Sequence, residues 1–173
     1  MRTLVLGLGN DIAGDDAVGV LVARALREDL DGLADAVESS ASGMALIEVL
    51  AGYDRVVVVD AVRTGRYEPG EILEMGLSEL GPVRAPSLHQ AGLPELAAVA
   101  GRLGLTFPER TVVLAVEVVD PYTIGAAMSD PVRRVLPELT RRVRAQVQRW
   151  RDEDEAFEAF EAGEARRARL PGG

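Results

Sequence analysis

Three stretches carry residues whose types and spacing could do chemistry. The first is a glycine-punctuated turn running from Gly7 to Gly19 (GLGNDIAGDDAVG) that contains Asp11, Asp15 and Asp16. Read as a dinucleotide fingerprint, Gly7 and Gly9 supply the first two glycines of G-x-G-x-x-G. Ile12 stands at the third, where close helix–strand packing needs a glycine. The three carboxylates would also lie where a pyrophosphate rests on a helix N-terminus, and they repel an anion there. The turn therefore suits a cation. One of the adjacent carboxylates is expected to have only a local role, Asp15 as a helix cap or Asp16 as a solvated first-turn residue.

The second stretch is Val56–Val59 followed by Asp60, a carboxylate at the carboxyl end of a fully apolar run. In open α/β sheets ligands bind outside such strand ends, above all where the strand order reverses. A turn-capping role is the plain alternative, but the burial implied by VVVVDAV makes an unpaired carboxylate costly. The third is His89, the only histidine, in PSLHQAGLPEL, a loop entering a helix. A lone histidine most often packs or faces solvent. Here its loop can return to the same sheet end. Asp16, Asp60 and His89 together offer an O/O/N ligand set with open positions, suited to a borderline divalent metal such as nickel, zinc or manganese.

The elements that must position these residues follow from hydrophobic periodicity. Thr3–Leu8 reads as a buried strand, and Ala17 to Leu26 carries apolar residues at helical spacing. A weak strand around Ala36–Ser39 and a short helix around Met44–Leu50 precede Arg55–Asp60, whose four valines predict a strand covered on both faces. Glu71–Met75 follows too soon for a crossover helix, so these two strands are expected to pair antiparallel. Leu93–Leu103 is a predicted helix and Thr111–Val119 the last strand. A final helix starts near Asp130-Pro131, with Pro137 expected to kink it or mark a later start. This order gives a three-layer α/β/α sandwich on a mostly parallel five-stranded sheet with one antiparallel strand. The first and third strands are expected to be neighbours at the order reversal, with the second strand leaving on the other side. Residues 1–150 form one domain. Residues 151–173 are acid-rich and poor in apolar side chains, and predict a flexible charged tail dispensable for folding.

Composition removes several function classes. The 173 residues contain no cysteine, which rules out disulfides, thiolate metal sites and cysteine nucleophiles. All 19 basic residues are arginine, so lysine chemistry is absent too. A net charge of −9 disfavours nucleic-acid partners. Aromatics at 4 % leave few platforms for sugar stacking. Ser39, Ser40 and Ser42 lie near the second strand's end, but no G-x-S-x-G elbow presents a nucleophile. The Arg-rich face of the last helix reads as a solvated face. No apolar stretch approaches a membrane span and no targeting segment is visible, so a cytoplasmic monomer is expected.

The segments MRTLVLGLGNDIAGDDAVGV, RVVVVDAV and PSLHQAGL, in this order, resemble the nickel–iron hydrogenase maturation proteases over about Met1 to Trp150. The resemblance implies a phosphorylase/hydrolase-like fold. It also implies an endopeptidase that removes the C-terminal extension from the precursor of the hydrogenase large subunit. It places the family's metal-binding and catalytic positions on Asp16, Asp60 and His89. The metal would be nickel brought by the substrate, with no permanent cofactor. Asp16 stands where the family often has glutamate, and Glu38–Met44 (ESSASGM) stands where it often has Asp-Gly-Gly-Thr. An aspartic dyad of Asp16 and Asp60 is disfavoured, because a shared proton needs carboxylates in direct contact. Peptidyl-tRNA hydrolases begin with a similar G-L-G-N turn, but they continue with Pro-Gly and a Thr-Arg-His-Asn stretch. Here Asp11-Ile12 follow Asn10, and no histidine precedes His89. A hydrolase of that type and a non-enzymatic nucleotide-binding module remain the alternatives.

Overall fold

Arg55–Val62 forms β3 at the centre of a five-stranded sheet, and all eight of its residues are buried. A strand without a polar face is stable only where both faces are covered. The computed structural model, which describes residues 1–79 and 92–168, shows how that cover is built. β1 (Thr3–Leu8) and β5 (Arg110–Glu117) flank β3 in parallel, β2 (Asp35–Ser39) lies outside β1, and β4 (Ile72–Gly76) is antiparallel against β5. The order is β2-β1-β3-β5-β4.

The expected β3–β4 pair is corrected by this order. β4 is antiparallel as its short connection requires, but its neighbour is β5, which enters between the two strands. The physical reason lies in the side chains. β5 ends in five buried residues, whereas β4 is only half-buried along its length and suits an edge. The reversal between β1 and β3 is as expected, with β2 leaving on the far side of β1.

Side-chain alternation splits the core in two. Val57, Val59 and Ala61 pack with Val18, Val22 and Leu26 of α1 (Val18–Leu26) and with Leu139, Val143 and Val147 of α4 (Asp130–Ala168). Val56, Val58 and Val62 pack on the other face with α2 (Ala45–Leu50) and α3 (Leu93–Arg102). The result is the α/β/α sandwich. Pro137 sits inside α4 without ending it, although its missing N–H leaves the Arg133 carbonyl without a helical donor.

α4 also continues past Trp150 and through Arg151 without a break. Its next turn is tied to the body at the amino end of the sheet. Arg55, 4 % exposed, donates through Nη1 to the Trp150 carbonyl at 2.9 Å and through Nη2 to the Asp154 carboxylate. Arg110 pairs with Glu153 at 2.5 Å, and both guanidinium groups lie over the Trp150 ring, at 5.9 and 5.4 Å from its centroid. Composition could not show these ties, because Arg55 and Asp154 are 99 positions apart. These ties bear on the expectation that everything from Asp152 onward is dispensable for folding, which truncation would test.

Candidate functional site

The chain leaves β1 at Leu8 and bends at Gly9, whose φ is +137°. The bend is tight because Asp16 returns against it: a Cβ on Gly9 would lie 1.9 Å from the Asp16 carbonyl oxygen. Between them the turn is built from its own polar groups. The Asn10 side-chain oxygen accepts the Ile12 N–H at 3.2 Å, the Asn10 carbonyl accepts from Ala13 at 3.1 Å, and the Ala13 carbonyl accepts from Asp16 at 2.9 Å. Such self-bonding is why asparagine favours turns. A short 3₁₀ turn, Gly14–Ala17, then leads into α1.

Two further glycines set how closely α1 lies on the sheet. A Cβ on Gly19 would come within 2.3 Å of the carbonyl oxygens of both Leu8 and Val59, and one on Gly7 within 2.1 Å of the Gly19 oxygen. The start of α1 thus rests on the backbones of β1 and β3 where these strands part. The 3₁₀ turn carrying Asp16 is thereby held against β3. Asp16 is 6 % exposed, so it is not the solvated residue that was one of its two expected roles.

Asp60 is fully buried. The last β1–β3 pair is Gly7 with Val59, so Asp60 is the first residue of β3 beyond that ladder, while on its other side it still pairs with Ala115. Its Oδ1 accepts the Ala61 N–H at 2.8 Å. Strand parity puts Asp60 on the face of Val58 and Val62, the face covered by α2 and α3. The structure therefore brings Asp16 and Asp60 to one end of the sheet, at the order reversal. His89, three positions before Gly92, lies outside the described residues. Among the described residues no three His, Cys, Asp or Glu side chains form a group that could hold a metal ion.

Asp15 has the structural role foreseen for one member of the pair, but not as a helix cap. Neither the 3₁₀ turn nor α1 has a side-chain cap. The buried Asp15 carboxylate instead reaches across the sheet end. It accepts the N–H groups of Val119 (3.0 Å), Asp120 (3.2 Å) and Ser129 (2.7 Å) and the Ser129 hydroxyl (3.0 Å). Glu117 plays a similar part that sequence reasoning missed. Buried at the end of β5, it accepts the Thr64 N–H at 2.8 Å, the Thr64 hydroxyl at 2.7 Å and the Gly65 N–H at 2.8 Å. The signal was present: a carboxylate after an apolar run, the same pattern that singled out Asp60. Asp15 and Glu117 thus fix the loops after β5 and β3 around the carboxyl end of the sheet.

Two outer groups hold charge at its rim. Glu38, ending β2, is bound by Arg24 at 2.7 Å and by Arg27 at 2.6 Å, and Arg24 above all holds its carboxyl below the usual range. Arg24 also bonds Asp11 at 3.1 Å, which ties the turn after β1 to the end of β2, and the hydrogen bonds to Glu38 first and Asp11 second raise its guanidinium pKa. Asp120 is likewise kept low, first by the Thr123 hydroxyl at 2.5 Å and then by the Tyr122 N–H at 2.9 Å. Among the described residues no helix is long and apolar enough to cross a membrane.

Comparison with known proteins gives a consistent result. The sequence profile of the hydrogenase maturation protease family matches residues 20–146, a span that contains Asp60 but begins after Asp16. The hydrogenase expression/formation protein HupD of Rhizobium leguminosarum bv. viciae is 30 % identical over 141 residues, covering 79 % of this chain and 69 % of that one. The hydrogenase 2 maturation protease of Escherichia coli K12 is 27 % identical over 150 residues, covering 80 % and 91 %. Among solved structures, the maturating endopeptidase HybD of E. coli superposes with a TM-score of 0.70 at 23 % identity, covering 86 % of this chain and 93 % of that one. The NiFe hydrogenase maturation protease HybD of Thermococcus kodakarensis gives 0.66 at 25 % identity, covering 85 % and 99 %. The family match favours the resemblance read from the motifs over a peptidyl-tRNA hydrolase or a nucleotide-binding module.

Proposed function

The chain belongs to the hydrogenase maturation protease family, peptide-bond hydrolases, and on that premise we propose that it removes the C-terminal extension of a nickel–iron hydrogenase large-subunit precursor after nickel insertion. The observation that carries this reading is the burial of Asp16 and Asp60 at the carboxyl ends of β1 and β3, where the strand order reverses. Two carboxylates at low exposure at one end of the sheet disfavour an anionic ligand there and suit a cation. With His89 they supply hard and borderline donors in a set too incomplete to close a structural site.

Nickel is here part of the substrate, and no resident cofactor is invoked. This chain has no cysteine, so any thiolate donors to the metal come from the precursor. Asp16, Asp60 and His89 touch the precursor's metal and so align its C-terminal extension in the crevice. Recognition and positioning then arise from a single contact. Precursor lacking nickel would lack that anchor, which makes cleavage conditional on metal insertion.

The test is to incubate the purified protein with nickel-loaded and nickel-free precursor and follow the mass of the large subunit. Mass loss from the loaded form alone is expected. Equal processing of both forms would refute metal recognition, and processing of neither would refute the assignment of this substrate.

A further inference from the structure

Four apolar side chains stand exposed on the loops at the carboxyl end of the sheet. Ile12, Val119, Tyr122 and Ile124 are between 47 and 63 % exposed. A single exposed apolar residue needs no explanation, but a grouped set does. These four belong to two segments that are bonded to one another. The Gly125 N–H donates to the Ile12 carbonyl at 2.7 Å, and the Asp15 N–H donates to the Asp120 carbonyl at 3.3 Å. The segments also touch through Gly14, where a Cβ would lie 3.1 Å from the Asp120 oxygen and 3.5 Å from the Ala126 Cβ.

The loop between β5 and α4 has no regular structure, yet polar groups fix it along its length. Asp15 grips it at Val119, Asp120 and Ser129, and Asp120 binds Tyr122 and Thr123 from within. Holding irregular backbone costs conformational entropy. Here that order serves to keep apolar side chains out in water, which is unfavourable unless something covers them. Preorganised apolar surface of this kind is what binding segments use to reduce their own ordering cost.

We propose that this rim is the docking surface for an apolar segment of the protein substrate, the stretch adjoining the bond to be cleaved. The proposal rests on the assignment of the crevice to precursor processing. Its location argues for that occupant: Ile12 lies in the turn that carries Asp16, and Asp15, next in the chain to Asp16, is the residue that grips the loop. A segment placed at Asp16 and Asp60 is therefore adjacent to the rim. Charge argues the same way. Asp120 borders the rim, and the chain as a whole carries −9, so a second copy would meet like charge, whereas an apolar segment with neutral or basic neighbours would not.

The experiment compares full-length wild type with Tyr122→Ser/Ile124→Ser in steady-state cleavage of nickel-loaded precursor. Leu103→Ser/Leu105→Ser serves as the control, since these residues are also exposed but lie between α3 and the amino end of β5. The rim variant should raise KM by about 10-fold or more while kcat and the melting midpoint stay at wild-type values. The control pair should leave KM unchanged. An unmoved KM, or a loss confined to kcat, overturns the docking surface while processing by wild type stands. If wild type cleaves neither precursor form, the assignment beneath the proposal fails and the rim falls with it. Should the double substitution lower the melting midpoint, Ile124→Ser alone carries the same comparison.

Discussion

Gly19→Ala isolates the contact that holds the start of α1 on the sheet. The new Cβ would lie 2.3 Å from the backbone oxygens of Leu8 and Val59, where ordinary contact begins near 3.4 Å. Both oxygens belong to central parallel strands that are fixed on both sides, so the helix must yield by about 1 Å. Lifting α1 loosens Val18 and Val22 from Val5, Val57 and Val59, all fully buried. Overpacking of this kind costs roughly 1–3 kcal/mol, and two rigid backbone clashes place this case near the upper end. Alanine returns about 1 kcal/mol in helix propensity, which leaves a net loss of about 2 kcal/mol. Urea denaturation followed by far-ultraviolet dichroism should show the midpoint falling by roughly 1 M at unchanged slope. Gly101→Ala in α3 is the companion of opposite sign. Nothing lies within 4 Å of its added Cβ, so the same propensity gain should stabilise by about 0.5–1 kcal/mol. A Gly19→Ala loss below about 0.5 kcal/mol would refute the claim that backbone contact, rather than side-chain packing, sets the height of α1.

Three other outcomes are expected. Truncation after Arg151 removes the Asp154 carboxylate that pairs with the buried Arg55 and should cost about 1–3 kcal/mol, discounted because Asp154 is partly open to water, whereas truncation after Glu158 should leave the melting midpoint in place; equal midpoints for both truncations would remove this ion pair from the stability of the fold. Asp60→Asn and His89→Ala should each weaken Ni²⁺ binding in calorimetric titration by at least about 10-fold, and wild-type affinity in both would sink the ligand assignment. Asp120, held low by Thr123 and Tyr122, supports its loop above its unfolded pKa and loses that support as pH falls through the lower folded value; the amide resonances of Tyr122 and Thr123 should therefore titrate with a midpoint below 3.8, and a midpoint above that value would contradict the hydrogen bonds described.

What was legible in the sequence was local. Four valines specify β3, and apolar residues at helical spacing specify α1, because each side chain's surroundings repeat along the element itself. The carboxyl-end position of Asp16 and Asp60 followed from the same reasoning, since a parallel sheet with an order reversal presents only one such crevice. What was not legible depended on distant partners. Whether β4 pairs with β3 or β5 turns on which strand is better buried, and β5 is reached only after α3. The roles of Asp15 and Asp16 could not be separated by spacing, because the deciding groups on Asp15 come from Val119, Asp120 and Ser129. The tie between Arg55 and the turn beyond Arg151 could not be read from spacing, because Asp154 lies 99 positions away.

The two ends of the sheet divide the work between them, and the division narrows the chemistry. At the amino end the buried charge is cationic: Arg55 beside Trp150, matched by Asp154 from α4. At the carboxyl end it is anionic, with Asp15, Asp16, Asp60 and Glu117 all at 6 % exposure or less. Hydrogen bonding shows what two of these carboxylates hold. Asp15 accepts four hydrogen bonds and Glu117 three, nearly all from loop backbone and short hydroxyl side chains. Withdrawing either carboxylate would take the partner from these part-buried donors. The bonds that Asp15 accepts from Asp120 and Ser129 also hold the loop on which Tyr122 and Ile124 stand exposed, so the residue next to Asp16 in the chain sets the shape of the rim proposed as a docking surface.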